Sequence, residues 1–231
     1  MHNVLAFFLV IFFSLAACGK PILDKDDIQD QTIQSHERPI IDYKVARTYL
    51  FGELHYNNGV VTDVYCDNKY TAVHGVGKNR IPDPKFLNCE HTWPQSRFGL
   101  IDVDKKKNDL HHLFPVESTS NSIRSNNPFG DVKNSFNVCN DSYKGLIIGT
   151  NLTGFEPPKR HKGNVARAIF YFSIRYNMPL DIVQETYLRK WHKNDPVDAF
   201  ESTRNKRIRE IQGNTNPFID DPSLVETISD F

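Results

Sequence analysis

A carboxylate and an imidazole stand side by side at Glu90 and His91, within the stretch Asn88-Cys89-Glu90-His91-Thr92-Trp93-Pro94. Together they could give one small space a hard metal ligand and a proton acceptor, which is what hydrolysis of a resistant bond requires. Neighbours on a strand point to opposite faces, so the two converge only where the strand ends or bulges. Pro94 is placed to end it. On its own an adjacent Glu and His is more often a half-buried acid and a hydrogen-bonded ring beside a turn, so the surroundings must decide.

Those surroundings are an apolar segment on either side of a polar one. Phe86 to Glu90 reads as one strand of a hairpin and Leu110 to Phe114 as the other, with Asp102 to Asn108 as a polar, exposed connection whose three lysines form a solvated loop. Ser118, Thr119 and Ser120 offer capping chemistry that would start a helix with Asn121 in its first turn. Earlier, helical spacing of Ile41, Val45, Tyr49 and Leu50 predicts a packed helix to about Leu54, and Val60–Cys66 and Tyr70–Val73 read as short strands. Gly130 to Thr153 reads as a loop-rich excursion with some strand. Val165, Ile169, Phe172 and Tyr176 share one face of a core helix, Asp181–His192 continues as a second, and Asp198–Gln212 as a third, basic one. Gly213-Asn214-Thr215-Asn216-Pro217 is a breaker. The mixture predicts an α+β fold.

Five separated blocks, Glu90 to Gly99, Asp109 to Pro115, Asn121 to Asn126, Phe155 to Phe172 and Arg204 to Phe218, resemble the endonuclease I family of secreted, metal-dependent bacterial nucleases. The resemblance covers most of the chain after about residue 40. It implies a ββα-metal (His-Me finger) hairpin and helix packed against further helices, with His91 as general base and Glu90 and Asn121 as ligands of one divalent metal. An all-oxygen pair suits Mg²⁺, with Mn²⁺ or Ca²⁺ able to substitute. A neutral imidazole near its ordinary pKa of about 6.5 would take the proton from water. The implied substrate is DNA, with RNA as a second, cut without sequence preference by a monomer.

His112 occupies a place where many relatives have Asn, and reads as orienting a metal-bound water or His91; as a direct ligand it would favour a softer ion. Arg124 lies one helical turn beyond Asn121 and could grip a phosphate oxygen. Some relatives carry another phosphate-binding Arg in a longer insertion after the Glu-His pair; only 18 residues lead from His91 to Asp109 here, and Arg97 is the substitute. Lys162 and Arg167, with Glu156, match a family block, either as phosphate contacts or as buried ion pairs. Arg204, Gln212, Asn214 and Asn216 match the terminal block as a structural cap over the hairpin. His111 reads as a satisfied buried residue.

Net charge is zero, so the whole molecule does not attract a polyanion, yet residues 156–210 hold 12 Lys/Arg against 7 Asp/Glu while residues 213–231 hold none against 4. Residues 1–17 form an apolar export signal too short to span a bilayer comfortably. Leu15-Ala16-Ala17-Cys18 resembles a bacterial lipobox, making Cys18 the lipidated residue that anchors the protein to a membrane; no Lys or Arg precedes the apolar run. Residues 18–38 read as a flexible tether and 39–231 as a single domain, exported to the periplasm or cell surface as an outer-membrane lipoprotein, with secretion as the alternative. Cys66, Cys89 and Cys139 then allow one disulfide, with three pairings open. The competing reading is a catalytically silent, surface-anchored nucleic-acid-binding lipoprotein, against which Glu90, His91 and Asn121 argue together, since phosphate binding alone needs Lys and Arg. A metallopeptidase would need His-Glu-x-x-His spacing, which is absent.

Overall fold

A computed structural model describes residues 41–231. The export signal, the lipobox Cys18 and the whole of the proposed tether, residues 18–38, lie outside these residues. The fold is α+β, with small antiparallel sheets and longer helices.

Helix α1 (Tyr43–Tyr49) is capped by Asp42, whose carboxylate accepts from Lys44 N, and it runs into a π-helical turn at Leu50–Leu54. The expected strand after it is cut short. Strands β1 (Tyr56–Asn57), β2 (Val60–Thr62) and β3 (Lys69–Tyr70) form one small sheet, and β2 stops at Thr62 because the buried Asp63 carboxylate takes the N–H groups of Tyr65, Cys66 and Asn68 into a turn. Residues Ala72–His74 are likewise a 3₁₀ turn rather than strand, closed by Thr71 and His74.

The central hairpin pairs β4 (Leu87–His91) with β5 (Leu113–Glu117), placing Glu90 opposite Phe114 and His91 opposite Leu113. The second strand therefore starts three residues later than its apolar pattern indicates. Asp109 explains the delay: its Oδ1 accepts from His111 N and winds Leu110–His112 into a 3₁₀ turn. The connection expected to be exposed contains helix α2 (Val103–Lys107), in which Lys106 is buried and donates to Phe98 O at 2.7 Å. Helix α3 (Ser118–Arg124) follows β5 directly. Its cap is Glu117, accepting from Ser120 N, so Ser118 to Ser120 lie inside the helix and Asn121 falls at its fourth position.

Beyond α3 the excursion is a regular sheet of β6 (Val132–Cys139), β7 (Ser142–Ile147) and β8 (Thr153–Glu156). Helix α4 (Lys162–Tyr176) is the axis of the larger core. It is buried almost all round from Val165 to Ile174, against Trp191, Phe218 and Phe231, which is broader than the single face its spacing predicts. Asn177 ends it in the left-handed conformation. Helices α5 (Ile182–Asn194) and α6 (Ala199–Gln212) are capped by Asp181 and Asp198, and α7 (Pro217–Asp220) is short. A second cluster beneath the hairpin joins Ala46, Leu50, Leu87, Leu110, Leu113 and Ile208. Cys66 pairs with Cys139, stapling the turn after β2 to the end of β6, and Cys89 is free with burial pushing its thiol up to about 12.

Candidate active site

Strand β4 ends at His91, and Thr92 N donates to His112 O across the hairpin before Pro94 turns the chain away. That ending lets consecutive side chains serve one space. Glu90, His91, Gln95, Ser96, Asn121 and Arg124 line a cleft of about 370 Å³. The strand–strand–helix unit is clamped by Arg124, which is 2% exposed. Its Nη2 donates to Thr92 O at 2.7 Å and its Nη1 to Ser125 O at 3.0 Å and His91 O at 3.4 Å, so the last turn of α3 is tied to the end of β4. Its Nε lies 3.3 Å from Glu90 Oε1, an ion pair not aligned as a hydrogen bond. From the sequence Arg124 is expected to grip a phosphate oxygen. The side chain borders the cleft, but its donors are already directed at the backbone and at Glu90.

His91 is held at both ring nitrogens. Nε2 is 3.0 Å from Lys107 O, and a carbonyl only accepts, so Nε2 carries the hydrogen. Nδ1 is therefore the bare nitrogen, 3.2 Å from the Gln95 amide that donates to it. Burial, and after it the His112 ring 5.4 Å away, push His91 down to about 3. Its imidazole is thus neutral well below the ordinary range that the sequence leads one to expect. His112 itself is fully buried, donates Nε2–H to Lys106 O at 2.7 Å and packs at 4.6 Å on Phe172. It stands behind His91, its ring 5.4 Å from that of His91, and is not among the residues that line the cleft.

Glu90 is 3% exposed, and its Oε1 accepts from the Tyr65 hydroxyl at 2.9 Å. Burial raises its pKa, opposed by Arg124 and by the Tyr65 hydrogen bond. Glu90, a buried carboxylate whose pKa burial raises, and Asn121, whose side chain carries an amide oxygen, line the same cleft, a residue set that would suit a hard cation. Among the described residues no group of three or more His, Cys, Asp or Glu is arranged to hold a metal, so a cation here would have two protein oxygens and otherwise water or phosphate.

The remaining candidates do not reach this cleft. Arg97 is exposed and lines a separate small cavity with Thr92, Trp93 and Arg124. Lys162 donates to Asp131 at 2.8 Å and to Glu156 at 2.6 Å, and Arg167, 1% exposed, forms a two-pronged pair with Glu201. Of the two readings the sequence left open for them, the structure shows the ion pairs. The terminal block does cap the hairpin: Arg204 donates to Leu110 O and Leu113 O, and Gln212 accepts from Leu110 N. His111 is satisfied on Asn214 O. Sequence reasoning missed Tyr65, Gln95 and the Lys107 carbonyl. Gln95 lay four residues from His91 and was within sight; Tyr65 lies 25 residues from Glu90 and carries no local signal.

An α+β chain with a strand–strand–helix unit, and with Glu90, His91 and Asn121 lining one cleft, has the form of a hydrolase site. The comparison with known families agrees: the Endonuclease I model matches residues 28–223, and the chain belongs to that family. Similar proteins include an extracellular deoxyribonuclease of Aeromonas hydrophila, 32% identical over 58% of this chain and 58% of its own length. An extracellular ribonuclease of Bacillus amyloliquefaciens is 32% identical over 61% of this chain and 53% of its own. Endonuclease-1 of Buchnera aphidicola is 31% identical over 66% of this chain and 62% of its own. The matches thus span about half to three-fifths of these relatives.

Proposed function

We propose that this protein is an exported, metal-dependent endonuclease that hydrolyses phosphodiester bonds of DNA and RNA with little sequence preference. The observation that carries the reading is His91, an imidazole whose protonated nitrogen is fixed on a backbone carbonyl and whose bare nitrogen accepts from Gln95, both residues lining the cleft with Glu90. The named activities of the relatives, one deoxyribonuclease and one ribonuclease among them, support a substrate class of nucleic acid without choosing between its two kinds.

In this mechanism the Lys107 carbonyl fixes the tautomer, so Nδ1 accepts the proton as water attacks phosphorus. The Gln95 amide holds the ring's orientation until water takes its place at Nδ1. Glu90 and Asn121 would hold the metal, and Mg²⁺ fits their hard oxygens. Bound there, a divalent cation supplies positive charge for the phosphate and the departing 3′ oxygen. Arg124 keeps Glu90 and the His91 backbone in register with α3. We place the protein in the periplasm or at the cell surface, as a monomer anchored by a lipid on Cys18.

The test separates base chemistry from binding. His91→Ala removes the proton acceptor and neither oxygen donor, so nucleic acid and Mn²⁺ should bind as before while turnover falls by about 10² to 10⁴. Plasmid degradation by the unaltered protein should stop with chelator and return with Mg²⁺. Binding of plasmid without any cleavage would favour the silent lipoprotein, and an undiminished His91→Ala rate would remove His91 from the mechanism.

A further inference from the structure

Tyr65 is 1% exposed, and its hydroxyl is directed at one oxygen of Glu90, the same Oε1 that Arg124 Nε approaches. Little about it can move. Its N–H donates to Asp63 at 2.9 Å, its carbonyl accepts from Ser142 Oγ at 2.9 Å, its ring lies 4.8 Å from Phe155, and the next residue is fixed in the Cys66–Cys139 disulfide. Two side chains thus converge on Oε1 and the His91 backbone N–H is a further donor to the carboxylate; neither Tyr65 nor Arg124 engages Oε2. A carboxylate restricted to one oxygen suits a small octahedral ion that keeps most of its water; a larger ion such as Ca²⁺ takes six to eight oxygens and gains from a carboxylate that offers both.

We propose that Tyr65 is a specificity-determining residue of the metal site: by occupying Glu90 Oε1 it holds the carboxylate to single-oxygen ligation and so favours Mg²⁺ over Ca²⁺. This rests on the reading of Glu90 as a metal ligand. It also refines the expectation that Ca²⁺ substitutes for Mg²⁺: Ca²⁺ enters the site, but at a disadvantage built into the second oxygen's partner.

The experiment uses the full chain, with Mn²⁺ followed by electron paramagnetic resonance and displaced in turn by Mg²⁺ and Ca²⁺. Tyr65→Phe retains the ring and removes only the hydroxyl. Groups that orient a metal ligand are worth about 10- to 100-fold in affinity, so the variant's preference should move toward Ca²⁺ by about 10-fold. The infrared spacing of the carboxylate bands in the Ca²⁺-loaded variant should narrow toward the two-oxygen form, an independent readout. A merely structural role would weaken all three ions alike; an unchanged Mg²⁺-to-Ca²⁺ ratio with unchanged carboxylate bands overturns the proposal. Glu90→Gln is the control. If that variant binds Mn²⁺ as the unaltered protein does, the ligand assignment itself fails, and the proposal falls with it.

Discussion

Arg167→Met distinguishes a structural cation from a substrate contact. In the folded chain Arg167 Nε and Nη2 donate to the two oxygens of Glu201 at 2.8 and 2.6 Å, and Nη1 donates to Asp195 O at 2.9 Å. Both partners of the pair are sealed from water, at 1% and 4% exposure of their side chains. Burial already raises the Glu201 pKa, and Arg167 is the first group opposing that rise. Removing the guanidinium leaves a carboxylate in the core between α4 and α6 with its main counter-charge gone. Breaking a buried pair on one side costs roughly 3–5 kcal/mol, a large part of a typical domain's 5–15 kcal/mol. With a urea slope near 2–3 kcal/mol per molar, the midpoint should fall by roughly 1 to 2.5 M.

The loss should also depend on pH in a defined direction. Without Arg167 the Glu201 pKa rises further, so the penalty is largest where the carboxylate is ionised and shrinks as acidification protonates it. The gap between Arg167→Met and the parent should therefore be wider at pH 8 than at pH 5. Adding Glu201→Leu removes the stranded charge and should restore most of the loss. Measured per folded molecule, the Michaelis constant for DNA should not change. A variant of near-parental stability with a strongly raised Michaelis constant would refute this reasoning and return Arg167 to the substrate.

Two further outcomes are expected. His161 is 5% exposed, and burial, then nearby Arg160, push it down to about 3 from an ordinary 6.5. Its contribution is complete above about pH 6.5 and is lost as pH falls toward 3, at up to roughly 1.4 kcal/mol per pH unit; thermal midpoints that stay level from pH 6.5 to 4 would contradict it. Cys18→Ala should move the protein from the membrane fraction to the soluble one with nuclease activity intact, and unchanged fractionation would exclude lipidation.

What was legible in the sequence followed from local patterns. Apolar spacing located α4, α5 and α6, and Asn121 was found on a helix following a hairpin. The failures have one physical cause in common: a polar side chain diverts the backbone from what neighbouring apolar residues favour. Asp63 ends β2 early by collecting three N–H groups, and Asp109 delays β5 by winding the residues before it. Asp109 is itself held by Tyr171, Tyr176 and Gln212, groups 62 to 103 residues away. Such partners leave no trace at short range. For Lys162 and Arg167 the sequence left ion pairing and phosphate contact open, because a basic residue in a helix reads the same until the acids opposite it, Asp131 and Glu201, are placed.

The connection between the hairpin strands makes the same point for the chemistry. Three consecutive lysines read as a solvated loop, and as side chains Lys105 and Lys107 are partly exposed. Their value lies in the backbone. Lys106 buries its ammonium against Phe98 O, fixing α2 beside the catalytic segment, and this presents the carbonyls of Lys106 and Lys107 to His112 and His91. A carbonyl bound to one imidazole nitrogen fixes the tautomer, so a short helix whose residues do not line the cleft decides which nitrogen of His91 keeps its lone pair, the one the proposed mechanism uses. The adjacent Glu90 receives its constraint from elsewhere, through Tyr65 on the disulfide-stapled turn. Two consecutive residues can therefore line one cleft in different surroundings because the strand ends at His91 and separate parts of the chain hold each side chain.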